Sequence, residues 1–295
     1  MATGVRTDTG RVREGNEDRY FVREERGTTL LAVADGVGGA SGGEIAADAA
    51  IAELGARFFT APSDRAASDV LAEALRDANA AVLRAAGSSG HRDAATTIVA
   101  AAVRAHEAIV ANLGDSRAYL IRDGVCRQIT EDHSGSIEHA ITRFAGDRRG
   151  VQPDIFVESL RADDRLLLCS DGLTRHVTPD EIAQVASGED VSVAASALVD
   201  LANARGGQDN VTVVLHAPAR RHTVAATAGR AAAFAVFALL ILVTVGGAIA
   251  VLFAASTVAP TTTPPSASEA PSQSASPSPT PTASPTPEPS PSASP

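Results

Sequence analysis

Short apolar runs punctuated by polar loops fill the first 217 residues, and beyond them the pattern changes twice. Leu30–Ala34 is a continuous apolar stretch that stops at Asp35-Gly36. From Gly43 to Phe59, apolar positions recur at helical spacing (Ile45, Ala49, Ala52, Phe59), which predicts an amphipathic helix. Ser63 or Asp64 is placed to cap a second, alanine-rich helix running to about Ala86. Strand-like runs follow at Thr96–Val103, Ala108–Leu113 and Arg117–Arg122, the last leading into Asp123-Gly124, a hairpin signal. Asp154–Leu160 and Arg165–Ser170 predict two further strands. Thr178-Pro179-Asp180-Glu181 has the order of a helix start: a cap, proline at the first position, acids in the first turn. Ser192–Ala204 predicts a last helix and Val211–His216 a closing strand. Strands outnumber helices and come in consecutive runs, so the expectation is an α+β layered domain and not a doubly wound sheet.

Residues 231–255 carry no charge over 25 positions. At 1.5 Å per residue that is long enough to cross a hydrocarbon core of about 30 Å, and it predicts one transmembrane helix. Arg220, Arg221 and Arg230 precede the span and no basic residue follows it. The positive-inside bias then puts the N-terminal domain in the cytoplasm and the C-terminus outside. Residues 256–295 are Pro, Ser, Thr and Ala with two acids, Glu269 and Glu288, which predicts a disordered, polyproline-like extracytoplasmic tail. The first twenty residues contain no apolar stretch, so no secretory signal peptide is expected. The organisation read from the sequence is a domain over 1–217, an Arg-containing linker over 218–230, the span, and the tail.

Charge narrows the function. All 25 basic residues are arginine, and residues 1–218 hold 22 of them against 33 acids. So acidic a domain is a poor general partner for nucleic acid, but it suits clustered carboxylates that hold cations. Two cysteines, Cys126 and Cys169, make no disulfide framework and are expected to be reduced thiols.

Five acidic points stand out: Asn16-Glu17-Asp18, Asp35-Gly36-Val37-Gly38-Gly39, Gly114-Asp115-Ser116-Arg117, Ser170-Asp171-Gly172 and Gly207-Gln208-Asp209-Asn210. Asp35, Asp115 and Asp171 each follow an apolar run; Asp18 and Asp209 each precede one. One such Asp-Gly is an ordinary turn. Strand after strand ending at an aspartate calls for more, because a carboxylate at a strand end is rigidly held yet points out of the core. Carboxylates about 4 Å apart repel by about 1 kcal/mol in water and about 4 kcal/mol at an effective dielectric near 20, so convergence requires cations. With no Cys or His in these motifs, the oxygen-only donor set favours Mg2+ or Mn2+ over zinc.

In order, R-x-x-N-E-D (Arg13 to Asp18), D-G-x-G-G (Asp35 to Gly39), T-T (Thr96-Thr97), G-D-S-R (Gly114 to Arg117), S-D-G (Ser170 to Gly172) and G-x-D-N-V-T (Gly207 to Thr212) cover nearly all of residues 4–216. The series resembles the metal-dependent Ser/Thr protein phosphatases of the phosphatase 2C type, above all their membrane-anchored bacterial members. The resemblance implies a four-layer αββα sandwich, two antiparallel sheets flanked by helices, with a binuclear Mn2+ or Mg2+ site at one end. It implies that Asp35 bridges the two ions, that the Gly36 carbonyl ligates one, and that Asp171 and Asp209 ligate the other. Glu17 and Asp18 would hold waters around them, and Asp115 with Asp171 would hold a third ion. Arg13 would clamp the phosphate, and Asn210 would order the turn around Asp209. A water readied between the ions would attack phosphorus in line, with no phospho-enzyme. The expected partners are phosphoprotein substrates, Ser/Thr kinases and their targets.

Two departures stand out. Val37 replaces a histidine proposed as general acid in eukaryotic relatives, leaving protonation of the departing oxygen to solvent at the metals. Only six residues, Gly135 to Ala140, separate Asp132-His133-Ser134 from Ile141-Thr142-Arg143, where bacterial relatives carry a considerably longer flap. His133 and His139 read there as ordinary loop residues rather than ligands or acids. The other readings kept open are a phosphoprotein-binding module with weak or no turnover, and a phosphatase for an anti-sigma-factor antagonist.

Overall fold

The structure is a computed structural model that describes residues 2–37, 42–135, 141–188 and 190–218. Two five-stranded antiparallel sheets carry the fold. The first has the order β1-β12-β11-β8-β9 and the second β10-β7-β6-β3-β2. In chain order these are β1 (Ala2–Asp8), β2 (Arg19–Glu25), β3 (Thr28–Ala34), β6 (Ile98–Arg104), β7 (Glu107–Leu113), β8 (Arg117–Arg122), β9 (Val125–Gln128), β10 (Asp154–Ser159), β11 (Arg165–Cys169) and β12 (Val211–Ala217). A separate pair, β4 (Gly36–Val37) and β5 (Ala95–Thr96), closes the bend after β3. The helices are α1 (Gly42–Thr60), α2 (Ala67–Ser89), the short α3 (Asp171–Thr174), α4 (Pro179–Ala186) and α5 (Val191–Ala204).

Three apolar layers explain why the central strands read as unbroken apolar runs rather than alternating ones. Leu31, Val33, Val99, Ala101 and Val110 meet Ala118, Leu120, Leu166, Leu168 and Val214 between the sheets. The alternate residues of the same strands, Leu30, Ala32, Ile98, Ala100 and Ala111, pack under α1 and α2 through Leu54, Leu71, Leu75 and Val82. On the other flank Leu167, Cys169, Val213 and Leu215 pack under α4 and α5 through Ile182, Leu198 and Val199. The layering is therefore αββα, as the resemblance implied.

The sequence-predicted helices and strands appear within a few residues, with additions, among them the short β4 and α3, and one correction. The amino-terminal strand β1, paired along its length with β12, and the short β9 were not predicted. The helix expected to start at Ser63 or Asp64 begins at Ala67, and its N-cap, Ala66, makes no side-chain cap bond. Arg65 there holds Glu73, a turn inside the helix, through two guanidinium bonds of 2.7 Å. Asp123 (φ 52°) and Gly124 (φ 77°) form the expected left-handed turn between β8 and β9. Cys126 and Cys169 are both free. The transmembrane span, tail, Gly38, Gly39 and His139 lie outside the described residues; among the described residues no helix is long and apolar enough to cross a membrane.

Candidate metal and phosphate site

Register alone brings the acidic motifs to one edge of the sandwich. In the second sheet Arg19 pairs with Ala34, Val33 with Val99, and Ile98 with Leu113. Asp18, Asp35, Thr97 and Asp115 thus extend from the same ends of neighbouring strands. In the first sheet Cys169 pairs with Val213 and Arg117, and Asp8 with Val211. That places Asp171 and Asp209 at the corresponding edge.

Each turn is then fixed by bonds from another motif. The Asp35 carbonyl accepts from the Thr97 N–H and the Thr96 hydroxyl (both 2.9 Å), and its own N–H donates to Thr97 Oγ1 (3.1 Å). Thr97 Oγ1 also meets Ser116 Oγ at 2.7 Å, tying the Asp35 turn to the Asp115 turn. Gly114, at φ 120°, lies so close to Thr97 that an added Cβ would fall 2.5 Å from the Thr97 side chain. A Cβ on Gly36 would fall 2.4 Å from the Gly43 backbone, which sits at the start of α1. Gly172 stands equally close to Asn210, 2.1 Å from its carbonyl to a would-be Cβ.

Asn210 orders the turn around Asp209 as expected, and does more. Its Oδ1 accepts from the Glu17 N–H (2.8 Å), and its Nδ2 donates to the carbonyls of Thr9 and Gly15 (2.9 Å each). Asn16 Oδ1 caps the Asp18 N–H (3.0 Å). The amino-terminal acidic loop is thereby clasped to Asp209. Ser170, which sequence reasoning treated only as a motif letter, donates to Asp18 Oδ2 (2.7 Å) and accepts from the Thr212 N–H (2.9 Å). Because that hydroxyl serves Asp18, α3 starts without a side-chain cap.

The electrostatics record how crowded the carboxylates are. Burial, then the charges of Asp18, Asp171, Asp209 and Asp115, hold the Asp35 carboxyl well above the usual carboxylate range. Burial pushes Asp18 up to about 7, with Asp171 and Asp209 adding to it against the Thr212 and Ser170 hydrogen bonds. Burial and Asp171 raise Asp115 to about 6. Glu17 is raised as well, chiefly by burial.

Arginines partly answer this charge. Arg13 grips Asp209 through Nη2 and Nε, each 3.0 Å from a carboxylate oxygen. Arg175, which sequence reasoning missed, bonds the Asp171 carboxylate and stands 3.8 Å from Asp209. Its signal was its place four residues after Asp171, one helical turn on. With Asp171 and Asp209 engaged by guanidinium groups, no three Asp, Glu, His or Cys side chains among the described residues stand in a ready ligating arrangement. The donors nevertheless fit a hard divalent ion: all are oxygens, and Asp18 Oδ1 and Asp171 Oδ1 are buried without any hydrogen-bond partner.

His133 has a structural part. Its Nδ1 accepts from the Gly114 N–H (3.1 Å), so Nε2 carries the proton and donates to Asp154 Oδ2 (2.8 Å). The histidine braces the Asp115 turn from behind. Ser134 bridges to Ile141 across the base of the shortened loop, whose residues 136–140 lie outside the described residues.

Comparison with known proteins converges on one group. The family described as Protein phosphatase 2C matches residues 10–216. The serine/threonine phosphatase stp of Listeria monocytogenes is 34% identical over 239 residues, covering 73% of this chain and 95% of that protein. The serine/threonine protein phosphatase PstP of Mycobacterium tuberculosis is 34% identical over 233 residues, covering 72% of this chain and 44% of that protein. A crystal structure of the PstP catalytic domain in complex with two manganese ions matches with a TM-score of 0.65 at 34% identity, over 72% of this chain and 96% of that one. The Mycobacterium tuberculosis phosphatase PstP/Ppp matches with a TM-score of 0.67 at 31% identity, over 74% and 99%.

Proposed function

The chain belongs to the protein phosphatase 2C family, and from that premise we propose how its own residues carry the family's chemistry. The activity is metal-dependent hydrolysis of phosphoserine and phosphothreonine in proteins, with Mn2+ or Mg2+ as cofactor. One observation supports the residue assignment above all others: burial and the neighbouring charges of Asp171 and Asp209 raise the Asp18 and Asp35 carboxyls, beside buried Asp18 and Asp171 oxygens that have no hydrogen-bond partner.

In this reading Asp35, the Gly36 carbonyl, Asp171 and Asp209 would hold two ions, and Asp115 with Asp171 would hold a third. Bound there, the ions would supply Lewis acidity that lowers the pKa of water towards neutrality. Glu17 and Asp18 orient the surrounding solvent, Asp18 being aimed by Ser170. Arg13 exchanges its carboxylate partner Asp209 for two phosphoryl oxygens, a bidentate geometry that suits the developing charge in the transition state. Arg175 makes the same exchange from Asp171. Val37 carries no titratable group, so solvent protonates the departing serine or threonine oxygen.

The biological setting is part of the same proposal: residues 231–255 anchor the enzyme in the cytoplasmic membrane, with residues 1–217 inside, where they oppose Ser/Thr kinases. Their uncharged length and the arginines confined to one side support this. A phosphopeptide assay with Mn2+, Mg2+ and chelator tests the activity. Turnover that persists in excess chelator overturns it, and binding without turnover under either metal favours a binding module instead. Recovery of the full chain in the soluble fraction overturns the anchor.

A further inference from the structure

A groove of about 730 Å3 opens directly beside the site, and it is built. One wall is Val37, which follows Gly36 and pairs with Ala95. The opposite wall is the segment from Ile141 to Arg148. Thr96 and Ala145 exchange backbone bonds of 3.0 and 2.8 Å, which fixes Phe144 against the strand that holds Asp35. From α2, the buried Asn79 accepts from the N–H groups of Gly146 (2.7 Å) and Asp147 (2.9 Å) and donates to the Asp147 carbonyl (3.1 Å). Gly146 sits at φ 111°, where a Cβ would meet the Ala94 carbonyl at 2.9 Å, so the wall closes tightly there.

The floor is apolar and the rim is basic. Val37 is 41% exposed, and Phe144 and Ile141 are half-buried. Arg92 and Arg148 are exposed on the rim with no ion partner among the described residues. The Asp147 carboxylate is taken by Arg149 and does not neutralise them. Among the described residues that line the groove, Asp93 is the one remaining acid to oppose them.

We propose that this groove seats the polypeptide flanking the phosphoresidue and selects substrates with a bulky apolar residue beside it and acidic residues beyond. The inference rests on the phosphatase reading. Val37 directly follows Asp35-Gly36, so a chain that runs over Val37 as it presents its phosphate to the carboxylate edge lies in the groove. An extended segment in the groove buries an apolar side chain on Val37 and Phe144 and brings acidic neighbours to Arg92 and Arg148. Exposed charges of this kind act mainly on encounter and specificity and weaken with salt.

The test compares kcat/KM of the full chain, in mild detergent with Mn2+, on four phosphothreonine peptides that combine Leu or Ser beside the phosphoresidue with Glu or Lys beyond it, the main ratio being that of the Leu/Glu to the Ser/Lys peptide. p-Nitrophenyl phosphate, which reaches only the catalytic edge, is the control. The expected wild-type ratio at low salt is about ten-fold in favour of the Leu/Glu peptide. Arg92→Glu with Arg148→Glu brings the ratio to one or below while p-nitrophenyl phosphate turnover stays within about two-fold. Val37→Ser removes the preference for Leu over Ser and leaves the charge preference. A wild-type ratio near one, or a ratio untouched by the double reversal with normal p-nitrophenyl phosphate turnover, overturns the proposal. Wild-type enzyme inert on p-nitrophenyl phosphate as well as on all four peptides sinks the phosphatase reading instead.

Discussion

A buried aspartate meets each end of strand β11, Asp164 just before it and Asp18 through Ser170 just after it, and the fold treats the two in opposite ways. At its start, Asp164 is 2% exposed and fully answered: Arg122 gives it bonds of 2.9 and 2.6 Å, and the Arg161 N–H adds one of 2.6 Å. Burial raises its pKa, but those bonds outweigh it and hold the carboxyl below the usual range. Past the other end, Ser170 reaches Asp18, also 2% exposed, yet one Asp18 oxygen is left bare and burial with neighbouring acids pushes the group up to about 7. The same residue type at similar depth is satisfied where the chain needs only stability. It is left wanting where the chain needs a cation. Unpaired buried charge marks function because it would otherwise be eliminated as a cost.

The sharpest way to break that contrast is to neutralise one aspartate of the crowded carboxylate edge and, separately, Asp164 at the start of β11. Asp35→Asn should lower phosphopeptide turnover by about 10³-fold or more, since the position is central to the proposed ion site. It should also raise the melting temperature of the metal-free protein, by relieving repulsion. Asp164→Asn should do the reverse, leaving kcat/KM near wild type while lowering stability by about 2–3 kcal/mol as Arg122 loses its partner. Paired assays and thermal melts decide it, and equal stability losses in the two variants would erase the distinction.

Adding metal should separate the two variants next. Mn2+ at about 100 times its Kd should stabilise the wild-type domain by about 2.7 kcal/mol, or about 5–10 °C in melting temperature. Asp35→Asn should not respond, and Asp164→Asn should respond in full. A smaller effect follows from pH. Asp18 has a folded pKa above its unfolded one, so its contribution is present below about 4 and lost as pH rises through about 7. His216 runs the other way: burial lowers it to about 4, so its contribution is present above about 6.5 and lost as pH falls through about 4. Because ions compete with protons at the site, the Mn2+-induced rise in melting temperature should grow between pH 5.5 and 8. The same rise at both pH values would mean that the raised carboxyls do not face the metal.

Much of this was legible in the sequence for a physical reason. Strands covered on both faces, such as Leu30–Ala34 and Leu166–Cys169, leave continuous apolar runs, and the aspartates at their ends are local signals. What was not legible depends on partners far away in the chain. The strand Ala2–Asp8 is apolar only at intervals and is fixed by pairing with Val211–Ala217, more than 200 residues on. Ser170 and Asn210 gain their roles from Asp18 and Glu17, 152 and 193 residues away. Arg175 was hidden differently. In a chain whose every cation is arginine, residue type gives no hint of which one faces the site.

The two helix starts bring the contrast down to its smallest scale. At α4 the Glu181 carboxylate reaches back to the helix start, accepting from the Thr178 N–H at 3.0 Å and from its hydroxyl at 2.9 Å, and also binds Arg205. Ser63 and Asp64 offer the same residue types ahead of α2 but cap nothing, because that helix begins at Ala67. Such a side chain contributes only where its oxygen meets an unpaired N–H at the helix start, so Glu181→Ala should cost about 1 kcal/mol and Asp64→Ala less than about 0.5 kcal/mol. Neither residue touches the carboxylate edge, so both variants should keep wild-type kcat/KM and the full Mn2+ response. Denaturant melts resolve the difference. Equal midpoints for the two variants would mean that residue type near a helix start counts for as much as the bond it makes. In that case the bare oxygens of Asp18 and Asp171 would lose their standing as evidence for a cation.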